Sequence, residues 1–110
     1  MNLIEALRVV EDEFSKTGAI KSHTSITRYV AVMAAIAGRD GGRPISVIDL
    51  SRALGGESKP NITRTLDVLG DAGMVERHRH PADGRKVDVR LTRRGEVAIK
   101  RIEGAFRGAA

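Results

Sequence analysis

Residues 58–95 read SKPNITRTLDVLGDAGMVERHRHPADGRKVDVRLTRRG, and they carry the strongest structural signals in the chain. Its first part predicts a helix. Ser58 or Lys59 lies just outside that helix, and Pro60 suits the first helical position, because a proline there loses no hydrogen bond. Gly73 is suited to the left-handed conformation that ends many helices. These signals mark the two ends of one helix.

This helix has two different faces. Ile62, Leu66 and Leu69 recur at i, i+4 and i+7, which predicts a single buried stripe. The side chains away from the stripe can contact base edges or grip phosphates, although a solvated helix surface has a similar composition. They are Asn61, Thr63, Arg64 and Asp67.

The second part of the stretch predicts a β-hairpin. Residues 87–91 (VDVRL) alternate apolar and charged side chains, as a half-buried strand does. Residues 74–80 (MVERHRH) show weaker apolar alternation and clear alternation of charge. Between them, Asp83-Gly84 is a strong turn signal, because a glycine can adopt positive φ without steric cost.

Positive charge is concentrated in this hairpin and the residues that follow it. Within residues 77–94 only Asp83 and Asp88 oppose the basic side chains, which are Arg77, Arg79, Arg85, Lys86, Arg90, Arg93 and Arg94. The formal charge of the chain is +5, with none of the excess in residues 1–57, which hold seven basic and seven acidic residues. Residues 58–110 hold twelve basic and seven acidic residues, so the whole positive surplus lies in the half of the chain that contains the hairpin. Binding of a polyanion requires such a concentration of positive charge.

A short helix precedes the one at residue 58. Ser46 is suited to cap it with Asp49 at the capping-box position, and Gly55-Gly56 closes it. Residues 46–71 therefore predict a helix-turn-helix, and residues 74–91 a wing.

The fold class expected is mainly α with a small β-hairpin (α+β), a winged helix-turn-helix with flanking N- and C-terminal helices. At 110 residues the chain is one domain, residues 1–110. A helix is expected from near Ser25 to Gly38, and Thr92 is suited to cap the last one. The first helix carries an apolar stripe of Leu3, Leu7, Val10 and Phe14.

Five short motifs in order resemble the MarR family (multiple antibiotic resistance regulators). They are residues 61–64 (NITR), 66–69 (LDVL), 73–77 (GMVER), 83–85 (DGR) and 89–95 (VRLTRRG). The resemblance implies a sequence-specific regulator of transcription that binds double-stranded DNA, in most cases a dimeric repressor.

In that family the second helix of the helix-turn-helix enters the major groove, and an arginine at the wing tip, here Arg85, reaches the minor groove. A physical reason supports the second point, because a narrow A·T minor groove concentrates negative potential that attracts arginine. The residues expected to contact DNA are Ser58, Lys59, Asn61, Thr63, Arg64, Arg77, Arg79, Arg85 and Lys86.

The resemblance also implies a homodimer built from residues 2–16 and 93–107, although these helices could instead cover the domain's own core. The expected dimer contacts are Leu3, Leu7, Val10, Phe14, Ile99, Ile102 and Phe106. Many members bind a small-molecule effector, which is a further expected partner. Family members usually continue through a longer C-terminal helical region. A reduced or different dimer interface and the loss of the effector pocket are therefore alternatives.

Other classes of function have little support in the sequence. There is no cysteine, so disulfides and cysteine-ligated zinc are excluded, and no signal for secretion or membrane insertion is seen. A cytoplasmic protein without a cofactor is expected. His78 and His80 could share one face of a strand and bind a metal, but no third ligand is near and solvent-facing side chains are favoured. No catalytic motif is found, so we expect no enzyme.

Two rival binding functions remain. A winged helix can serve only in protein–protein assembly, but it would not need a basic hairpin. The other is nucleic-acid binding without sequence specificity. An RNA-binding winged helix would tend to offer exposed aromatic side chains for base stacking. The aromatic residues of the chain, Phe14, Tyr29 and Phe106, lie on expected core stripes.

Overall fold

The structure, a computed structural model, describes residues 8–10, 12–14, 26–39 and 43–109. Residues 8–10 and 12–14 are helical. The named elements are α1 (Ile26–Ala37), β1 (Ile45–Ser46), α2 (Val47–Ala53), α3 (Lys59–Asp71), β2 (Val75–Arg79), β3 (Val87–Leu91) and α4 (Arg93–Ala109). This mainly helical arrangement with a small antiparallel sheet confirms the expected fold class.

Hydroxyl side chains cap three of the helices. The Ser46 hydroxyl accepts from the Asp49 N–H at 3.1 Å, and the Thr92 hydroxyl accepts from the Gly95 N–H at 3.1 Å. Ser58 caps α3, which begins at Lys59, so Pro60 occupies its second position rather than its first. Each cap satisfies a backbone donor that has no partner inside its helix, which fixes where the helix begins.

The sheet contains the predicted hairpin and one strand that the sequence did not indicate. Strands β2 and β3 pair antiparallel, with Val75 opposite Leu91 and Arg79 opposite Val87. Strand β1 pairs with the other edge of β3, where Ile45 lies opposite Val89. Two residues are too few to show alternation, so the sequence does not distinguish β1 from a loop, and the pairing with β3 defines it as a strand.

The core lies between α1, α3, β3 and α4. The predicted stripe of Ile62, Leu66 and Leu69 is fully buried, which confirms the inner face of α3. It belongs to one cluster that includes Met33 of α1 and Val89 of β3. Burial of this stripe turns the opposite face of α3 toward solvent.

Phe106 departs from its expected place on a core stripe. Its side chain is 38% exposed, because an apolar groove between α1 and α4 stays open beside it. Phe14 is buried as expected, with its ring centroid 5.9 Å from that of Tyr29, which is half-buried.

The wing is joined to the start of α4 by backbone contacts. Gly73 has φ +74°, as predicted for the residue that ends α3. Thr92 N–H donates to the Met74 carbonyl at 3.0 Å, and the Thr92 hydroxyl donates to the Gly73 carbonyl at 2.6 Å. The end of α3, the base of the wing and α4 therefore form one rigid junction. In the part of the chain that the structure describes, no helix is both long and apolar enough to cross a membrane.

Candidate nucleic-acid interface

The outer face of α3 presents polar and basic side chains to solvent. Lys59, Thr63 and Arg64 are exposed, as is the cap residue Ser58, whereas Asn61 is half-buried. The Thr65 hydroxyl turns inward and donates to the Asn61 carbonyl at 3.0 Å. Four of the five residues predicted on this helix are therefore accessible to a large ligand.

A tight turn fixes the tip of the wing. The Asp83 carboxylate accepts from the Arg85 N–H at 3.0 Å, and the Asp83 carbonyl accepts from the Lys86 N–H at 3.0 Å. Below the turn, the His80 N–H donates to the Lys86 carbonyl at 2.8 Å. Asp83 thus stabilises the turn, whereas Gly84 is not among the described glycines with positive φ, so the conformation expected there is not adopted. The side chains of Arg85 and Lys86 extend into solvent.

Helix α3 and the wing tip meet around one small cleft of about 130 Å³. Five of the predicted contact residues line it, and they are Lys59, Thr63, Arg77, Arg85 and Lys86. The remaining four, Ser58, Asn61, Arg64 and Arg79, do not line it. The cleft also exposes Ile48 of α2, which is 52% accessible. Basic groups of the helix and of the wing therefore lie on one side of the molecule.

Arg77 is already engaged within the chain. Its guanidinium lies 2.7 Å from the carboxylate of Asp67, which links β2 to α3. Both side chains are more than one-third exposed, so the pair adds little stability. Its main effect is geometric, because it braces the wing against the helix. The sequence assigned both residues to contact surfaces and did not indicate their pairing.

Glu57 belongs to none of the sequence motifs, yet it is hydrogen-bonded to a predicted contact residue. Its carboxylate accepts from the Asn61 side-chain amide at 2.8 Å and lies 3.8 Å from the Arg28 guanidinium of α1. Glu57 and Asn61 are four residues apart, a spacing that places two side chains together on a helix. Glu57 precedes the cap of α3, however, so the spacing alone did not predict this contact.

The wing histidines have carboxylate and backbone neighbours. His78 Nε2 lies 3.4 Å from Glu76, and His80 Nδ1 accepts from the Ala82 N–H at 3.1 Å. Within residues 8–10, 12–14, 26–39 and 43–109, no three histidine or carboxylate side chains are grouped to hold a metal ion. Both histidines are hydrogen-bonding groups of the hairpin surface.

Most of the described residues that were expected at a dimer interface lie inside a single chain. Val10, Phe14, Ile99 and Ile102 are at most 4% exposed, and Phe106 is the one with accessible surface. Leu3 and Leu7 lie outside the described residues.

Arg101 of α4 binds the N-terminal helical residues. Its guanidinium bonds both Asp12, at 3.0 Å, and Glu13. The hydrogen bonds that the guanidinium donates to Glu13, and then to Asp12, raise the pKa of Arg101 above its ordinary value. This pairing holds residues 12–14 against α4.

Comparison with known proteins gives the same family as the sequence motifs. A model of the MarR family matches residues 25–86, which is more than half of the chain. A crystal structure of a MarR family transcription regulator is similar over 90% of this chain, with a TM-score of 0.68 and 24% identity. This chain covers 59% of that protein.

Two structures of MarR from E. coli are also similar. The wild-type protein in its apo form gives a TM-score of 0.65 at 25% identity, covering 92% of this chain and 67% of that chain. A mutant complexed with operator DNA gives the same TM-score and identity, covering 92% of this chain and 65% of that one. The matched family model, together with the winged helix-turn-helix, confirms the resemblance, and the chain belongs to the MarR family.

Proposed function

We propose that this protein is a transcription regulator that binds double-stranded DNA in a sequence-specific manner and acts as a dimeric repressor. Helix α3 enters the major groove, and Arg85 at the wing tip enters the adjacent minor groove. The proposal is one of binding rather than catalysis. It draws on the family and on the complex that MarR from E. coli forms with operator DNA.

The observation that carries the proposal is the cleft shared by α3 and the wing. It brings Lys59 and Thr63 of the helix beside Arg85 and Lys86 of the wing. A duplex that seats the helix in its major groove would meet the wing at the neighbouring backbone or minor groove. A helix and a wing that faced different sides could not contact one duplex in this way.

The expected contacts fall into two groups. Thr63 and Arg64 are exposed on α3, and with Asn61 they would contact base edges. Basic groups at the end of the helix and on the wing would contact phosphates, and these contribute affinity rather than sequence preference. The second group is Lys59, Arg79 and Lys86, with Ser58 donating its hydroxyl.

The dimer would use the groove between α1 and α4. This groove exposes Phe106 and is lined by Val30 and Ala34 of α1. Burial of this apolar surface against a second copy would be favourable. A twofold dimer presents two copies of α3 to half-sites about one helical turn apart, so the operator would be an imperfect palindrome.

A second cleft could take a small-molecule effector. It measures about 480 Å³ and lies between the end of α1, strand β3 and the start of α4, where charged residues of both signs line it. That volume is within the range for small-molecule sites. Its charged lining residues are Arg43, Glu76, Arg90, Arg93, Glu96, Lys100 and Glu103.

Selection of bound duplexes from a random pool tests the function. The expected result is enrichment of one imperfect palindrome. Recovery of unrelated sequences in proportion to their abundance would contradict sequence-specific binding and would favour a non-specific nucleic-acid or protein-assembly role.

A further inference from the structure

Glu57 lies at the point where three helices meet, directly before the residue that caps α3. Gly56, with φ +83°, donates its N–H to the Ser51 carbonyl at 2.9 Å. The Ser51 hydroxyl in turn donates to the Glu57 carbonyl at 2.5 Å. Two contacts with α2 therefore fix the backbone that carries the Glu57 side chain.

One oxygen of the Glu57 carboxylate contacts both α3 and α1. It accepts from Nδ2 of Asn61 at 2.8 Å and lies 3.8 Å from Nη2 of Arg28. The Glu57 side chain is 30% exposed and that of Arg28 is 49% exposed. The carboxylate is thus held near the edge of the candidate interface and is not deeply buried.

The hydrogen bond determines how the Asn61 amide is oriented. A carboxylate only accepts, so the amide nitrogen and not its oxygen must face Glu57. One N–H of the amide and its oxygen are then available to a base, and an asparagine that pairs with adenine presents such a donor and acceptor together. An amide already held in one orientation loses less conformational freedom on contact.

The charge of Glu57 acts on phosphates. A carboxylate beside a helix that approaches DNA opposes the phosphate backbone, whatever the sequence. The positive charge of Arg28 offsets the negative charge of Glu57 only in part, because the guanidinium and the carboxylate are 3.8 Å apart and both are partly solvated.

We infer that Glu57 is a positioning residue that sharpens the sequence preference of this protein. Its carboxylate orients the Asn61 amide for a base and lowers the attraction of the surface for DNA of any other sequence. The inference rests on the proposed function, since it concerns the preference with which duplex DNA is bound.

A matched pair of variants separates the two effects of Glu57. Glu57→Gln removes the charge but keeps an oxygen that can accept from Asn61, whereas Glu57→Ala removes both. Affinities are measured for a duplex selected from a random pool and for a duplex with the base pair under Asn61 exchanged. That base pair is identified as the one whose exchange lowers the affinity of the unmodified protein but does not change the affinity of Asn61→Ala.

We expect Glu57→Gln to bind every duplex more tightly, because a negative charge is lost, and Glu57→Ala to bind the exchanged duplex more tightly for the same reason. Glu57→Ala should reduce the affinity ratio of the two duplexes by about two- to tenfold, the range of one neutral hydrogen bond. Glu57→Gln should keep the ratio within about twofold, because the acceptor is retained. In the Asn61→Ala background, Glu57→Ala should leave the ratio unchanged.

The inference would be overturned if Glu57→Ala left the ratio of the two affinities unchanged. It would also be overturned if Glu57→Ala reduced this ratio equally in the Asn61→Ala background. Weaker binding of all duplexes by Glu57→Gln would overturn the role of the charge, and this variant tests that role even if Glu57→Ala is poorly folded. If the unmodified protein binds no duplex, the proposed function fails and the inference fails with it. That outcome is distinct, because it is seen before any variant is made.

Discussion

A Cβ atom on Gly95 would lie 2.1 Å from the carbonyl oxygen of Met74, so the start of α4 approaches the base of the wing as closely as a glycine permits. The same Met74 carbonyl accepts from the Thr92 N–H at 3.0 Å. The overlap would be between the new Cβ and backbone atoms of Met74, so a change of side-chain rotamer could not relieve it. This contact fixes the angle between α4 and the wing, and with it the orientation of the candidate interface.

We expect Gly95→Ala to destabilise the protein by about 2–4 kcal/mol, because the backbone must shift to relieve the overlap. Gly104→Ala is the matched control, since it lies in the same helix and its Cβ would meet nothing within 4 Å. That control should be neutral or stabilising by up to about 1 kcal/mol, because alanine favours the helix. Chemical denaturation measures both, and equal stabilities of the two variants would contradict the close contact.

Arg64→Ala tests the reading role of α3. The side chain is exposed, so folding should be unaffected. If Arg64 pairs with a guanine, the variant should lose about 1–3 kcal/mol on the selected duplex and discriminate less at one base pair. The measurement is fluorescence anisotropy against the selected duplex and its single-base-pair variants. A uniform loss on all duplexes would assign Arg64 to a phosphate, and no loss would remove it from the interface.

Arg85→Ala tests the wing. The Asp83 turn is made by backbone N–H groups, so it survives truncation of the arginine side chain. We expect a loss of about 1.5–3 kcal/mol in binding with unchanged stability, and a larger loss on sites with A·T-rich flanks. Lys100→Ala, which removes one positive charge from α4, is the control and should have a smaller effect. Equal losses on A·T-rich and G·C-rich flanks would indicate a phosphate contact only.

Phe106→Glu tests the dimer. Because Phe106 is partly exposed and beside an apolar groove, a charge there should disfavour burial against a second copy without unfolding the monomer. Sedimentation velocity at micromolar concentration should show a dimer for the unmodified protein and a shift toward monomer for the variant. A protein that sediments only as a monomer before any substitution would contradict the proposed assembly.

The sequence predicted those features that local chemistry determines. The caps at Ser46 and Thr92, the glycine at Gly73 and the alternation in β3 depend on residues close in the chain, and all were confirmed. For α3 the sequence left Ser58 and Lys59 as alternatives, and the structure has Ser58 as the cap and Lys59 as the first helical residue. Strand β1 was missed because two residues carry no period, and it forms only through pairing with β3.

Contacts between distant side chains could not be predicted in the same way. The pairs Arg77–Asp67 and Arg28–Glu57 join residues that local periodicity cannot relate. Composition identified the charged face, but it did not indicate which of its charges neutralise one another. Ile99 and Ile102 share an apolar stripe with Phe106, yet the structure buries the first two within the chain and leaves Phe106 accessible.

The most direct test of the account is the affinity of the unmodified protein for its selected duplex and for a shuffled duplex, measured over a range of salt concentrations. We expect both affinities to fall steeply with salt, with a slope of about 0.9 for each phosphate neutralised. We also expect the selected duplex to be bound about 10³-fold or more tightly than the shuffled one at physiological salt. Affinities that hardly change with salt, or that are equal for the two duplexes, would contradict it.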